Sequence, residues 1–114
     1  MPSIEILLPS DATPFDPAKI FFHPVNQIWL EIGFGSGEHL VWQAQNNPSV
    51  GFIGCEPYIN GVARMLTSIS ELGLSNVRIF REDARILLQA LPDQSIARTF
   101  ILFPDPWPKA RHHK

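Results

Sequence analysis

Short apolar runs alternate with helical periodicity along most of the chain. Ile28-Trp29-Leu30-Glu31-Ile32 is apolar apart from one acid and stops at glycines, which predicts a buried strand. From Gly37 to about Asn46 the pattern turns helical, with Leu40, Val41 and Ala44 on one face and Pro48 as the stop. Residues 51–56 read as a second strand. A longer helix is predicted from about Asn60 to Leu72, where Val62, Met65, Leu66 and Ile69 recur at helical spacing and Gly73 supplies the carboxyl-terminal cap. Val77 to Phe80 reads as a third strand and about Ala84 to Leu91 as a short helix carrying Ile86, Leu87 and Leu88. The turn Pro92-Asp93-Gln94-Ser95 leads into a fourth strand, Ile96 to Phe103, followed by a stiff loop, Pro104-Asp105-Pro106-Trp107-Pro108.

This alternation predicts an α/β fold with a parallel sheet covered by helices on both faces. The expected strand order is 3-2-1-4, and ligands of such open sheets bind beyond the carboxyl ends of the strands, near the switch between strands 1 and 4. Residues 1–27 have a different character. Pro2, Pro9, Pro14, Pro17 and Pro24 interrupt any long helix, so the segment is expected to be an irregular arm with a short helical turn near Pro17 to Phe21. The predicted organisation is therefore an arm over 1–27 and one domain over 28–114.

Composition narrows the class without changing the fold. The 114 residues are 45% apolar and 18% charged, the balance of a globular domain. No apolar run approaches the length of a membrane span, and the amino terminus has no secretory pattern. One cysteine, Cys55, excludes an intramolecular disulfide, which fits a reducing, cytoplasmic setting. The net charge of −2 is unlike that of a chain gripping phosphates over its whole surface, but it hides an asymmetry. Lys109, Arg111, His112, His113 and Lys114 crowd the carboxyl end with no acid among them. His23 and His39 stand alone in sequence and are expected to be structural, so no metal site is expected. Trp29 and Trp42 are expected in or near the core.

The candidate chemistry lies at the strand ends, where Glu31, Glu56, Asp83 and Asp105 fall on one edge of the sheet. After the first strand, Gly33-Phe34-Gly35-Ser36-Gly37 lets a ligand approach the backbone closely. Its G-x-G-x-G spacing is typical of S-adenosylmethionine enzymes and differs from the G-x-G-x-x-G of nicotinamide domains. Glu56 is placed to accept from two ribose hydroxyls. Asp83, followed by Ala84, can either accept an adenine amine or cap the next helix. Asp105, fixed between prolines beside Trp107, suits a planar base that donates hydrogen bonds.

Together these blocks resemble the bacterial tRNA (guanine-N7)-methyltransferases. The resemblance runs from about residue 28 to the end, through Glu31 to Gly37, Phe52 to Pro57, Asn60 to Val62, Asn76 to Arg78, Asp83-Ala84 and, most specifically, Phe103 to Lys114. It implies a Rossmann-like class I methyltransferase fold truncated after the fourth strand, with S-adenosylmethionine as cofactor and a variable-loop guanine of tRNA as substrate. It further implies that Glu31, Gly33, Gly35, Gly37, Glu56, Asp83, Ala84 and Asp105 contact the cofactor. Asp105 would also be the catalytic residue, and Lys109, Arg111 and Trp107 would meet the substrate. Members of the family are roughly twice as long, so the chain is expected to be a fragment of a longer protein. Guanine N7 offers a lone pair without losing a proton, so the chemistry needs positioning more than a base, in keeping with the lack of an evident Ser-His or Cys-His pair. The alternatives are an amino-methyltransferase acting on nucleic acid, whose acid-Pro-Pro-aromatic loop differs from Pro104-Asp105-Pro106-Trp107, and a non-catalytic remnant that binds cofactor or RNA.

Overall fold

The computed structural model describes residues 4–8 and 15–102. A 3-10 turn, Pro17–Ile20, precedes β1 (Gln27–Ile32), α1 (Glu38–Asn46), β2 (Val50–Cys55), α2 (Ile59–Leu72), β3 (Val77–Phe80), α3 (Ala84–Ala90) and β4 (Arg98–Ile101). The sheet has the order β3-β2-β1-β4, the order expected, and every neighbouring pair is parallel.

Strand alternation sorts the apolar side chains onto two faces. Trp29, Phe52, Val77 and Ile79 join Leu40 and Ala44 of α1 and Val62, Met65 and Ile69 of α2 in one core. Their neighbours Leu30, Ile53, Cys55 and Phe80 join Leu87 of α3 in the other. With both faces covered, β2 and β3 are buried at every residue. This is why β2 reads in sequence as a continuous run without polar residues, and β3 as an apolar run broken only by Arg78.

The arm takes part in the second core through Ile6, Phe15 and Phe21. Its first described segment lies along the outer edge of β3: the Ile6 N–H donates to the Ile79 carbonyl at 2.7 Å and the Ile79 N–H to the Ile4 carbonyl at 2.8 Å. Five residues suffice to pair a strand edge and satisfy its exposed amides. Arg78 secures the arm from beneath. Its buried guanidinium donates from Nε to the Ile20 carbonyl at 2.8 Å and lies 5.3 Å over the Phe21 ring, while Nη1 reaches the Val77 carbonyl at 2.7 Å. Burial alone lowers its pKa.

Two expectations change, the place of Trp42 and the length of β4. Trp42 is 59% exposed rather than in the core. The buried stripe of α1 is Leu40, Gln43 and Ala44, and Trp42 projects off that stripe. Ile86 and Leu88 are also exposed, leaving Leu87 as the buried residue of α3. The regular pairing of β4 covers Arg98–Ile101, shorter than the predicted strand, although the Ala97 N–H still donates to the Ile28 carbonyl at 2.8 Å. Phe103 and the proline-flanked loop lie outside the described residues. No helix among the described residues is long and apolar enough to cross a membrane.

Candidate functional site at the carboxyl edge of the sheet

The chain leaves β1 through a turn in which Gly33, Gly35 and Gly37 all take positive φ, at 75°, 62° and 95°. Residues with a Cβ avoid that region, so the turn depends on its glycine spacing. Hydrogen bonds hold it at both ends: Gly33 N–H donates to the Cys55 carbonyl at 2.8 Å and Gly37 N–H to the Phe34 carbonyl at 2.9 Å. Gly61, in the first turn of α2, packs against the same loop. A Cβ there would fall on the Gly35 carbonyl oxygen.

Glu56 follows β2 and is 4% exposed. Its Oε1 accepts from the Gly35 N–H at 2.8 Å and its Oε2 from the Tyr58 N–H at 3.3 Å. One carboxylate thus joins the glycine turn to the start of α2. A cleft of 270 Å³ opens there, lined by Gly35, Glu56, Tyr58, Asn60 and Gly61 among others. On the other side of the β2 end lies a second cleft of 410 Å³, lined by residues including Ile32, Gly33, Cys55, Asp83 and Ala84.

Asp83 takes the capping role of the two open to it. Its side chain accepts from the Arg85 N–H at 2.9 Å, and the Arg85 guanidinium adds bonds at 3.0 Å from Nε and 2.6 Å from Nη2. These side-chain bonds, with the backbone bond, hold the carboxyl down at about 2. Ala84 is the first residue of α3. The buried Cys55 thiol is pushed up to about 12, chiefly by burial and secondarily by the charge of Asp83.

Glu31 is the unexpected member. Instead of lining an open edge it is 1% exposed. Its Oε1 lies 2.6 Å from Nδ1 of His39, and its Oε2 has no partner among the described residues. Burial raises the pKa of this carboxyl, and the hydrogen bond and charge of His39 oppose the rise. Gln43 stands behind, its Nε2 lying 3.3 Å from His39 Nε2. Taken singly, His39 gave no sign of this pairing. The signal lay in the supersecondary arrangement: a helix that starts directly after a tight turn sets its first residues back over the end of the strand before it. Asp105, Trp107, Lys109 and Arg111 lie outside the described residues. Among the described residues no group of three or more His, Cys, Asp or Glu side chains could hold a metal ion.

A parallel 3-2-1-4 sheet with a glycine turn after β1 and an acid after each of β2 and β3 defines a class I methyltransferase fold. Solved structures agree on that fold. An antibiotic-related methyltransferase superposes with a TM-score of 0.58 at 24% identity, over 76% of this chain and 44% of its own. A 30S ribosomal A1408 methyltransferase from an uncultured bacterium gives 0.54 at 19% identity, over 70% and 39%. The chain belongs to the methyltransferase family described as "Putative methyltransferase", whose model matches residues 25–114. Among curated relatives, the tRNA (guanine-N(7)-)-methyltransferase of Jannaschia sp. (strain CCS1) is 55% identical over 91% of this chain and 43% of its own length. That of Paramagnetospirillum magneticum is 49% identical over 98% and 48%. The chain thus spans about half the length of these relatives.

Proposed function

We propose that the protein binds S-adenosylmethionine across the carboxyl ends of β1, β2 and β3 and transfers its methyl group to N7 of a variable-loop guanine in tRNA. The observation that carries this reading is the glycine turn joined to the buried Glu56 carboxylate, in a chain whose curated relatives are named as tRNA (guanine-N(7)-)-methyltransferases. The residues present fit the cofactor. Gly33, Gly35 and Gly37 form the tight positive-φ turn along which a sulfonium-bearing chain would pass. Glu56 offers a carboxylate to the ribose hydroxyls, exchanging its bonds to the Gly35 and Tyr58 amides for them. Asp83 and Ala84 border the 410 Å³ cleft in which an adenine ring would lie. The cofactor supplies an electrophilic methyl group, and the protein's part is alignment.

The substrate side rests on the carboxyl-terminal block. Asp105 is assigned to the N1–H and N2 amine of the guanine and Trp107 to a flat wall beside it. Lys109 and Arg111 are assigned to neighbouring phosphates.

Calorimetric titration with S-adenosylmethionine tests the cofactor half of the reading: saturable one-to-one binding is expected, and its absence in a folded sample refutes a cofactor site in this chain. The reaction is tested on unmodified tRNA in the protein of full family length, by digestion to nucleosides and mass spectrometry. N7-methylguanosine is expected; an N6- or N4-methylated base identifies an amino-methyltransferase instead. Asp105→Asn should abolish the product while leaving the fold intact by circular dichroism, and near-normal turnover by that variant would overturn the role given to Asp105.

A further inference from the structure

The pair formed by the buried Glu31 and the partly exposed His39 has a geometry that packing alone leaves unexplained. The carboxylate sits near the end of β1, one residue before the glycine turn, with one oxygen engaged and the other buried without a donor among the described residues. A buried acceptor without a partner is costly, so such groups in folded proteins are rare and mark sites completed by something else. The engaged oxygen is held by more than one residue. Gln43 sets its amide nitrogen 3.3 Å from Nε2 of His39, an arrangement that suits an imidazole proton on Nδ1, facing Glu31 Oε1. The ring is also buttressed edge-on by Phe100 of β4, with centroids 5.3 Å apart. Gln43, His39 and Phe100 together hold the carboxylate in one orientation and leave Oε2 as its free acceptor.

We propose that His39 is a positioning residue for cofactor binding: by holding Oε1 of Glu31 it keeps Oε2 directed to accept from the α-ammonium of the cofactor's amino-acid end, directly or through one bound water. This rests on the proposed cofactor site. It goes beyond it by making a helix residue outside the glycine turn responsible for discriminating ligands that carry an amino-acid end from those that carry the nucleoside alone. Glu31 offers the acceptor, His39 its orientation, and Gln43 the tautomer of His39.

The test compares two ligands that share the adenosine thioether and differ at that end. S-adenosylhomocysteine carries the ammonium and 5′-methylthioadenosine lacks it. Both are titrated calorimetrically against the chain and its variants. His39→Phe preserves ring volume and the contact with Phe100 but removes the Nδ1 donor. It should weaken S-adenosylhomocysteine by about tenfold or more while leaving 5′-methylthioadenosine within about twofold. His39→Asn places an amide nitrogen near the position of Nδ1 and should retain most of the discrimination. His39→Gln, whose amide reaches instead toward the position of Nε2, should lose it. The Asn and Gln pair carries the test if the Phe variant does not fold. Parallel weakening of both ligands, or no change in either, overturns the positioning role while leaving the cofactor site standing. Failure of the unaltered chain to bind either ligand overturns the cofactor reading, and this inference with it.

Discussion

Glu31 and Asp83 are the same chemistry at the same level of the sheet, yet their surroundings are opposite. Glu31 is the last but one residue of the inner strand β1, is closed over by α1, and is 1% exposed with one oxygen unpartnered among the described residues. Asp83 follows the outer strand β3 and keeps a side chain 45% exposed, its oxygens taken up by the Arg85 backbone and guanidinium. Burial pushes the first carboxyl up and hydrogen bonds pull the second down. At the centre of the sheet a charge is an expense that a ligand's donor can offset. At its flank the charge is satisfied by its own helix, and a ligand must compete with Arg85. Glu56 stands between the two: buried like Glu31, but bonded through both oxygens to the glycine turn and α2.

The sharpest way to break this central arrangement is to displace the glycine turn itself. Gly61→Ala puts a methyl group onto the Gly35 carbonyl, backbone against helix, with no flexible side chain to give way. Helix propensity favours alanine there by about 0.5–1 kcal/mol, whereas overpacking costs about 1–3 kcal/mol. Sterics should therefore win, and thermal denaturation should show a lower Tm. S-adenosylmethionine affinity should fall as well, because the Gly35 amide that Glu56 holds moves with the turn. Gly73→Ala is the control. Gly73 also has positive φ but its Cβ would meet nothing within 4 Å, so a cost of about 1 kcal/mol is expected, with cofactor affinity unchanged. Equal losses of affinity in both variants would show that Gly61 does not act through the turn.

How far the sequence disclosed this arrangement depended on how local the signal was. The strands β1 to β3, their order and the glycine turn were legible because apolar runs and glycine spacing act over a few residues. So was the cap of Gly73, whose N–H donates to the Ile69 carbonyl as a left-handed terminus should. The position of Glu31 at a strand end was legible; its burial was not, since that depends on α1 folding back over β1. The same packing pairs His39 with Glu31 and leaves Trp42 facing out. The arm's pairing with β3 was hidden for a related reason: Ile4 and Ile6 find the edge amides of Ile79 more than seventy positions away, and no periodicity reports such a partner.

The buried acid can be separated from its neighbour by pH. A carboxyl whose folded pKa is raised binds more protons in the folded than in the unfolded chain between its ordinary value of 4.5 and the raised one. Stability must therefore decrease as pH rises through that window. Glu31→Gln removes this dependence. The stability of the variant relative to the unaltered chain should climb from pH 4.5 upward and then level off, at a slope no steeper than about 1.4 kcal/mol per pH unit. Urea denaturation at a series of pH values measures it. A difference that is flat across the whole range would mean that Glu31 is no more protonated in the fold than outside it, and the contrast between centre and flank would collapse.

Asp83 should give the smallest effect, and one of opposite sign. Its carboxyl is lowered from 3.8 to about 2 by Arg85, so the folded chain binds fewer protons than the unfolded one between those values. The stability it contributes is present above about 3.8 and disappears as pH falls through about 2. Because both partners are solvent-exposed, salt should screen the ion pair and leave mainly the helix cap. Asp83→Asn keeps an oxygen that can cap the Arg85 amide but gives up the charge. The variant should match the unaltered chain in 1 M salt, and at low salt it should show a shallower loss of helicity between pH 4 and 2, read by circular dichroism. A large, salt-resistant loss of stability at neutral pH would show that Asp83 is embedded in the fold as deeply as Glu31. Its exposure, and the competition with Arg85 inferred for any ligand at the flank, would then have to be abandoned.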